Sequence, residues 1–245
     1  MLSNIYPNAT GKESVYVTNK SLSEVLTLEQ FSQDSVSVEK SINVVTALSS
    51  TENLSKDDIL DYAYRPTNTS ALLFDIYSEN VKFEEAYENF SSVIRKLGNR
   101  FIIYDINGSV YDEDVKTLIN DCDVVLYLFR PIKSECMEAR DYLESLSEDE
   151  KIKVKLVCSM WDDSGVKKKT IQEYMKIRAN SILWFPYHRN IQRTMFENRL
   201  CVLNRLIIEG RDQCLNLRQP LKDILSFIFD VNGVKVIKDV NKWSL

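Results

Sequence analysis

The chain has 245 residues, 44% hydrophobic and 27% charged, with a net charge of −5 from 36 acidic and 31 basic residues. This is globular composition with material for a sizeable core, enough for one large α/β domain or two small ones, and it excludes wholesale disorder. The acidic balance argues against a broad nucleic-acid-binding face, while a local basic patch remains compatible with it.

Residues 1–40 admit two registers. In one, Leu2–Tyr6 is a stub of strand and Asn8–Ser14 is a remnant phosphate loop. In the other, Gly11-Lys12 is only a turn, Val15-Tyr16-Val17 is a strand, and Ser21–Leu28 opens a helix. The β-favouring Val-Tyr-Val-Thr run and a capping box from Ser21 and Glu24 favour the second. Gln33–Lys40 reads as loop and Ile42–Leu48 as the next strand candidate. Ser55 reads as an N-cap, with Asp57 and Asp58 in the first turn of a helix through about Tyr64. Arg65-Pro66-Thr67-Asn68 breaks it, and Ala71–Ile76 is a strand ending near Asp75. The strongest helical pattern follows: Phe83, Ala86, Tyr87, Phe90, Val93, Ile94 and Leu97 share one face, and Gly98 supplies the stop.

Phe101–Pro131 reads as strand, loop, helix, strand. Phe101–Tyr104 and Val124–Phe129 are continuous apolar runs, as suits strands covered on both faces of a parallel sheet. Tyr111–Asp121 supplies the crossover helix. Asp105 and the Ile106–Tyr111 loop then fall at a strand's carboxyl end, where open α/β sheets bind ligands. Ser134–Leu146 reads as helix, with an acidic end at Glu148-Asp149-Glu150. Lys153–Ser159 is a strand, Trp161–Gly165 a loop, Lys167–Ile177 a helix, and Ser181–Phe185 a strand closed by Pro186. Ile191–Ile208 and Pro220–Phe229 read as two surface helices, Val231-Asn232-Gly233 as a turn, and Val234–Leu245 as a tail. Strands and helices alternate throughout, the pattern of a doubly wound α/β domain.

Five cysteines, Cys122, Cys136, Cys158, Cys201 and Cys214, are scattered without CxxC or CxxH spacing, so free thiols are expected and a zinc site is not. His188 is the only histidine. No signal peptide is expected, and no apolar run approaches the roughly 18 residues of a membrane span. A reducing, cytoplasmic setting is the default expectation.

The order of features over roughly residues 40–230 resembles the ParA/MinD family of deviant P-loop ATPases, including its TadZ/CpaE-type members of pilus and secretion systems. FIIYDING resembles the family's Walker B strand, with Asp105 at the acid and Asn107 where a Pro is usual. VVLYLFRP resembles the strand after it. KLVCSMWDD resembles the strand whose end carries an Asn or Asp near the adenine, and LWFPYHRNIQRTMFENRL the segment bordering the base. The resemblance implies a P-loop NTPase-like fold: a three-layer, doubly wound, mostly parallel sheet with helices on both faces. It implies one domain over residues 1–232, with a degenerate part at 1–40 and a tail at 233–245.

The family's phosphate loop, KGGVGKT or close to it, departs most. Its nearest counterpart here is Pro7-Asn8-Ala9-Thr10-Gly11-Lys12-Glu13. Pro7 stands at the signature Lys, Asn8 and Ala9 replace two glycines, and Glu13 replaces the Mg²⁺-binding Thr. The resemblance nominates Gly11, Lys12, Asp105, Asp162, Asp163, Pro186 and His188 as nucleotide-binding positions. Each has a plainer reading: Asp105 as a strand-end carboxylate capping its loop, Lys12 as a solvated turn residue, Asp162 and Asp163 as turn formers. Lys167, Lys168, Lys169, Arg189 and Arg193 form a candidate basic patch, against the plainer reading of a solvated helix start.

No bound cofactor is expected, Mg-ATP being the alternative. The expected function is a non-catalytic scaffold or localisation protein working through homodimerisation and protein partners in a pilus, secretion or partition system. The alternatives are an ATP-dependent switch and a DNA- or membrane-associating partition protein. Peripheral membrane association is not expected, because the tail alternates too weakly.

Overall fold

The computed structural model describes residues 13–18, 45, 46, 48, 53–63, 71–75, 93, 96–98, 101–162, 164–197, 200–211 and 214–232. They fall into two compact units, Met1–Leu118 with Arg193–Arg205, and Ile119–Gln192 with Leu206–Leu245.

The first unit is built on β1 (Ser14–Thr18), which lies between β2 (Ala71–Asp75) and β3 (Phe101–Asp105), all parallel. The strand thus falls where the second N-terminal register puts it. Ser14, Val15, Val17 and Thr18 are all fully buried. Neighbours along a strand point to opposite faces, so β1 is covered on both. Helix α1 (Lys56–Asp61) begins with a reciprocal cap: the Asp58 amide donates to Ser55 Oγ at 3.3 Å, and the Ser55 amide to Asp58 Oδ2 at 2.8 Å. The expected strand over Ile42–Leu48 is corrected, because Val45, Thr46 and Leu48 are helical. A short apolar run does not distinguish a buried strand from a buried helix, and Val45 is fully buried. Of the helix expected from Phe83, the described end agrees: Val93 and Leu97 are buried, and Gly98 takes the left-handed φ of 76° that stops it.

The second unit is built on β5 (Val154–Trp161), between β4 (Val125–Phe129) and β6 (Ile182–Pro186), again all parallel. Leu156, Val157 and Cys158 are buried in succession, so β5 too is covered on both faces. Helices α3 (Lys133–Ser145) and α5 (Lys168–Met175) join the strands in one core of Phe129, Cys136, Ala139, Leu156, Cys158, Ile171, Met175 and Ile182. Parallel strands with helices on both sides form the three-layer α/β arrangement expected from the sequence.

Coverage on both faces belongs to β1 and β5 more than to the strands singled out in the sequence. All described side chains of β3 are at least partly exposed, and Leu128 of β4 is 64% exposed. An apolar run signals strand; where the strand sits in its sheet decides how much is covered.

Helix α2 (Glu113–Asp121) falls where the crossover helix is expected, two residues shorter at its start, and leads from β3 to β4, which belong to different sheets. The acidic run after α3 forms its own helix, α4 (Glu148–Lys153), started by a capping box of Ser147 and Glu150. The expected helix Ile191–Ile208 is two: α6 (Arg189–Phe196) and α7 (Leu200–Ile208). No Gly or Pro marks the break. The last described helix, α8 (Leu215–Val231), starts five residues before the expected Pro220. Proline is a good first helical residue, but Leu217 lies on the same buried face as Leu221, Ile224 and Ile228, and packing carries the helix through the proline.

Candidate functional site

The carboxyl end of the first sheet is a row of polar residues. Register sets Thr18 opposite Asp75 on one side and Asp105 on the other. The Tyr16 hydroxyl donates to Asp105 Oδ2, and the Thr18 hydroxyl hydrogen-bonds the Tyr16 oxygen. Burial, then the Asp105 charge, raises the Tyr16 phenol well above its ordinary value, so its proton stays on. In the loop after Asp105, Asp112 accepts the Ser109 amide at 3.2 Å through Oδ2. No sequence pattern names Tyr16 as the partner of Asp105, since only the strand pairing brings them together.

The carboxyl end of the second sheet is made by the β5–β6 pair. A register shift between Cys158 and Trp161 brings Trp161 opposite Pro186, with Met160 at a left-handed φ of 55°. The Tyr187 amide donates to the Trp161 carbonyl at 2.8 Å and fixes the exit of β6. Trp161 and Trp184 meet edge to face with centroids 5.8 Å apart. Lys168 lies over both rings, 4.3 Å from the Trp161 centroid and 5.5 Å from that of Trp184. The sequence reading left Lys168 in a charge run.

Asp162 makes a turn. It accepts the Ser164 amide at 3.0 Å and the Ser164 hydroxyl at 2.9 Å, and its carbonyl takes the Gly165 amide at 3.1 Å. These bonds, with the Arg189 charge, hold its carboxyl below the usual range. His188 Nδ1 accepts the Asn190 amide at 3.2 Å, so His188 caps the start of α6. Of the basic residues, Lys169 pairs with Glu173 at 3.7 Å and Arg193 with Glu197 at 2.7 Å, while Lys167 is exposed before α5.

Asp162, Pro186, His188, Lys168 and Arg189 thus gather at the ends of β5 and β6, while Asp105 stands at the end of β3 in the other unit. Gly11, Lys12 and Asp163 lie outside the described residues. Among the described residues, no group of His, Cys, Asp and Glu has the arrangement to hold a metal ion, and no helix is long and apolar enough to cross a membrane.

No family model and no curated protein matches the chain in sequence. Solved structures do match. The ParA family ATPase of Chlorobium tepidum aligns with a TM-score of 0.62 and 13% identity, over 89% of this chain and 89% of its own. MinD in the MinC:MinD cell division protein complex of Aquifex aeolicus gives 0.61 and 13%, over 91% and 88%. The septum site-determining protein MinD of Pyrococcus horikoshii, complexed with Mg-ADP, gives 0.59 and 11%, over 94% and 88%.

The fold is that of the MinD and ParA ATPases.

On a MinD/ParA fold, a phosphate loop runs from a strand's carboxyl end into a helix. Gly11-Lys12 precedes the amino end of β1. After β1 come Asn19-Lys20-Ser21-Leu22-Ser23-Glu24, and no glycine occurs between Gly11 and Gly98. Lys20 and Ser21 supply a lysine and a hydroxyl at that place, a pair the sequence reading passed over. The glycines that would let the backbone close on a phosphate are missing. With Asp105 engaged by Tyr16, these residues do not fit a Gly-rich Mg-nucleotide site.

Proposed function

We propose that this protein is a non-catalytic scaffold or localisation factor on a MinD/ParA fold, acting as a homodimer that binds protein partners. The observation that carries the reading is the acid at the Walker B position: Asp105 accepts a hydrogen bond from a half-buried tyrosine, where a nucleotide-hydrolysing site would present it to Mg²⁺. The glycine-free stretch after β1 supports it. The structural matches cover about nine-tenths of both chains, in keeping with a domain of this fold. One of those matches is a MinC:MinD complex, an instance of this fold engaging a protein partner. The TadZ/CpaE-like resemblance of the sequence favours a role in a cytoplasmic pilus, secretion or partition system.

The test is calorimetric titration of the purified protein with Mg-ATP and Mg-ADP, with mass followed by light scattering. No heat and an unchanged dimer mass are expected. Binding tighter than about 100 μM, roughly 5.5 kcal/mol, or assembly that depends on ATP, would replace the scaffold by an ATP-driven switch.

A further inference from the structure

Tyr16 and Asp105 lie 89 residues apart in sequence and meet through the β1–β3 pairing. Tyr16 stands opposite Ile103, so its side chain reaches diagonally, one repeat toward the carboxyl end and one strand across, to touch Asp105. Thr18 lies on the same face of β1 as Tyr16, since side chains two apart along a strand share a face. Its hydroxyl hydrogen-bonds the phenolic oxygen. Thr18 is fully buried, and β1 is paired on both sides, so the phenol is oriented by a part of the sheet with little freedom to move. Asp105 is at the exposed end of β3. A carboxylate at that place on a nucleotide-binding fold meets a cation; here it meets a neutral hydroxyl from the same chain.

We propose that the Tyr16 hydroxyl stands in for a metal ion at Asp105, tying the carboxyl ends of β1 and β3 together independently of divalent cations. The inference rests on the scaffold reading in one respect: a Mg-nucleotide site would compete with Tyr16 for the same carboxylate. The partner of Asp105 is built into the strand beside it, and this end of the sheet keeps one form at any Mg²⁺ concentration.

A double-mutant cycle tests this. Thermal midpoints are measured for the wild type, Tyr16→Phe, Asp105→Ala and the double variant, each in EDTA and in excess Mg²⁺. Each single change is expected to lower the midpoint by about 3–8 °C, the scale of losing one hydrogen bond to a charged group in a chain of this size. The double variant should fall no further than one of the singles, equally in EDTA and in Mg²⁺. Additive losses would overturn the latch, as would coupling that vanishes when Mg²⁺ is added. If Tyr16→Phe does not fold, the wild type and Asp105→Asn decide the matter: no Mg²⁺ shift in either upholds the latch, and a shift in the wild type alone overturns it. Nucleotide binding in the calorimeter would sink the scaffold reading and leave the EDTA coupling standing, whereas an additive cycle would sink the latch and leave the glycine argument standing.

Discussion

Glu135 shows how one carboxylate can hold a loop. It accepts the Arg130 backbone amide at 2.7 Å, the Arg130 Nε at 2.7 Å, and a further bond from Nη2 of the same guanidinium. The segment between β4 and α3 is strapped by one residue. The Arg130 partner holds the Glu135 carboxyl below the usual range, against a smaller opposing effect of burial. A depressed acid contributes stability above the ordinary Glu value, about 4.3, and that contribution is lost as pH falls through its folded value. Arg130 is half exposed, which trims the worth of the pair. Glu135→Gln should therefore cost about 1 kcal/mol near neutrality. In denaturant melts run from pH 7 downward, the gap to wild type should close below about pH 4; a gap constant with pH would mean that the charge contributes nothing. Two thiols, one buried and one half-buried, behave in the opposite sense. Burial pushes Cys122 up to about 11 and Cys158 up to about 12, as expected of structural cysteines in a strand and beside one.

At the level of elements, helix ends account for much of what was and was not legible. Ser55 with Asp58 was readable because the cap and its partner are three residues apart. Ser147 with Glu150 has the same spacing but was absorbed into the acidic tail of the preceding helix. The end of α2 falls at Asp121, as expected, but what holds it could not be read from the sequence. Lys153 Nζ donates to the carbonyls of Ile119 at 3.1 Å, Asn120 at 3.3 Å and Cys122 at 3.3 Å. It thereby satisfies the orphan acceptors of the last turn and meets the negative end of the helix dipole. The partner is some thirty residues away in sequence, so no local signal announces it. Lys153→Met keeps the aliphatic stem and removes the donors; a loss of about 1–2 kcal/mol in equilibrium unfolding is expected. The candidate site divides in the same way. Asp105, Asp162 and Pro186 could be placed at strand ends because each closes a strand-like run. Tyr16 was not singled out, and Lys168 was read only as part of a basic patch, because their contacts depend on which strands pair.

For the molecule as a whole, the charge distribution bears on the choice of partner. The net charge is −5, and four of the seven basic residues between 167 and 193 are engaged: Lys168 lies over Trp161, Lys169 and Arg193 are ion-paired, and the Arg189 charge reaches Asp162. A duplex-binding surface needs several free cations to release counterions from phosphate. Fluorescence anisotropy with a random-sequence duplex at physiological salt should show no binding. A steep loss of binding with rising salt would restore the partition-protein alternative.

The edge-to-face contact of Trp161 with Trp184 has an optical consequence. The third tryptophan is Trp243, so no indole occurs in the first 160 residues. Emission excited at the indole band therefore originates entirely from the second unit. Backbone circular dichroism averages over both. A melt followed by the two signals in one sample compares the second unit with the whole chain without a label, and coincident transitions are what all-or-none unfolding requires.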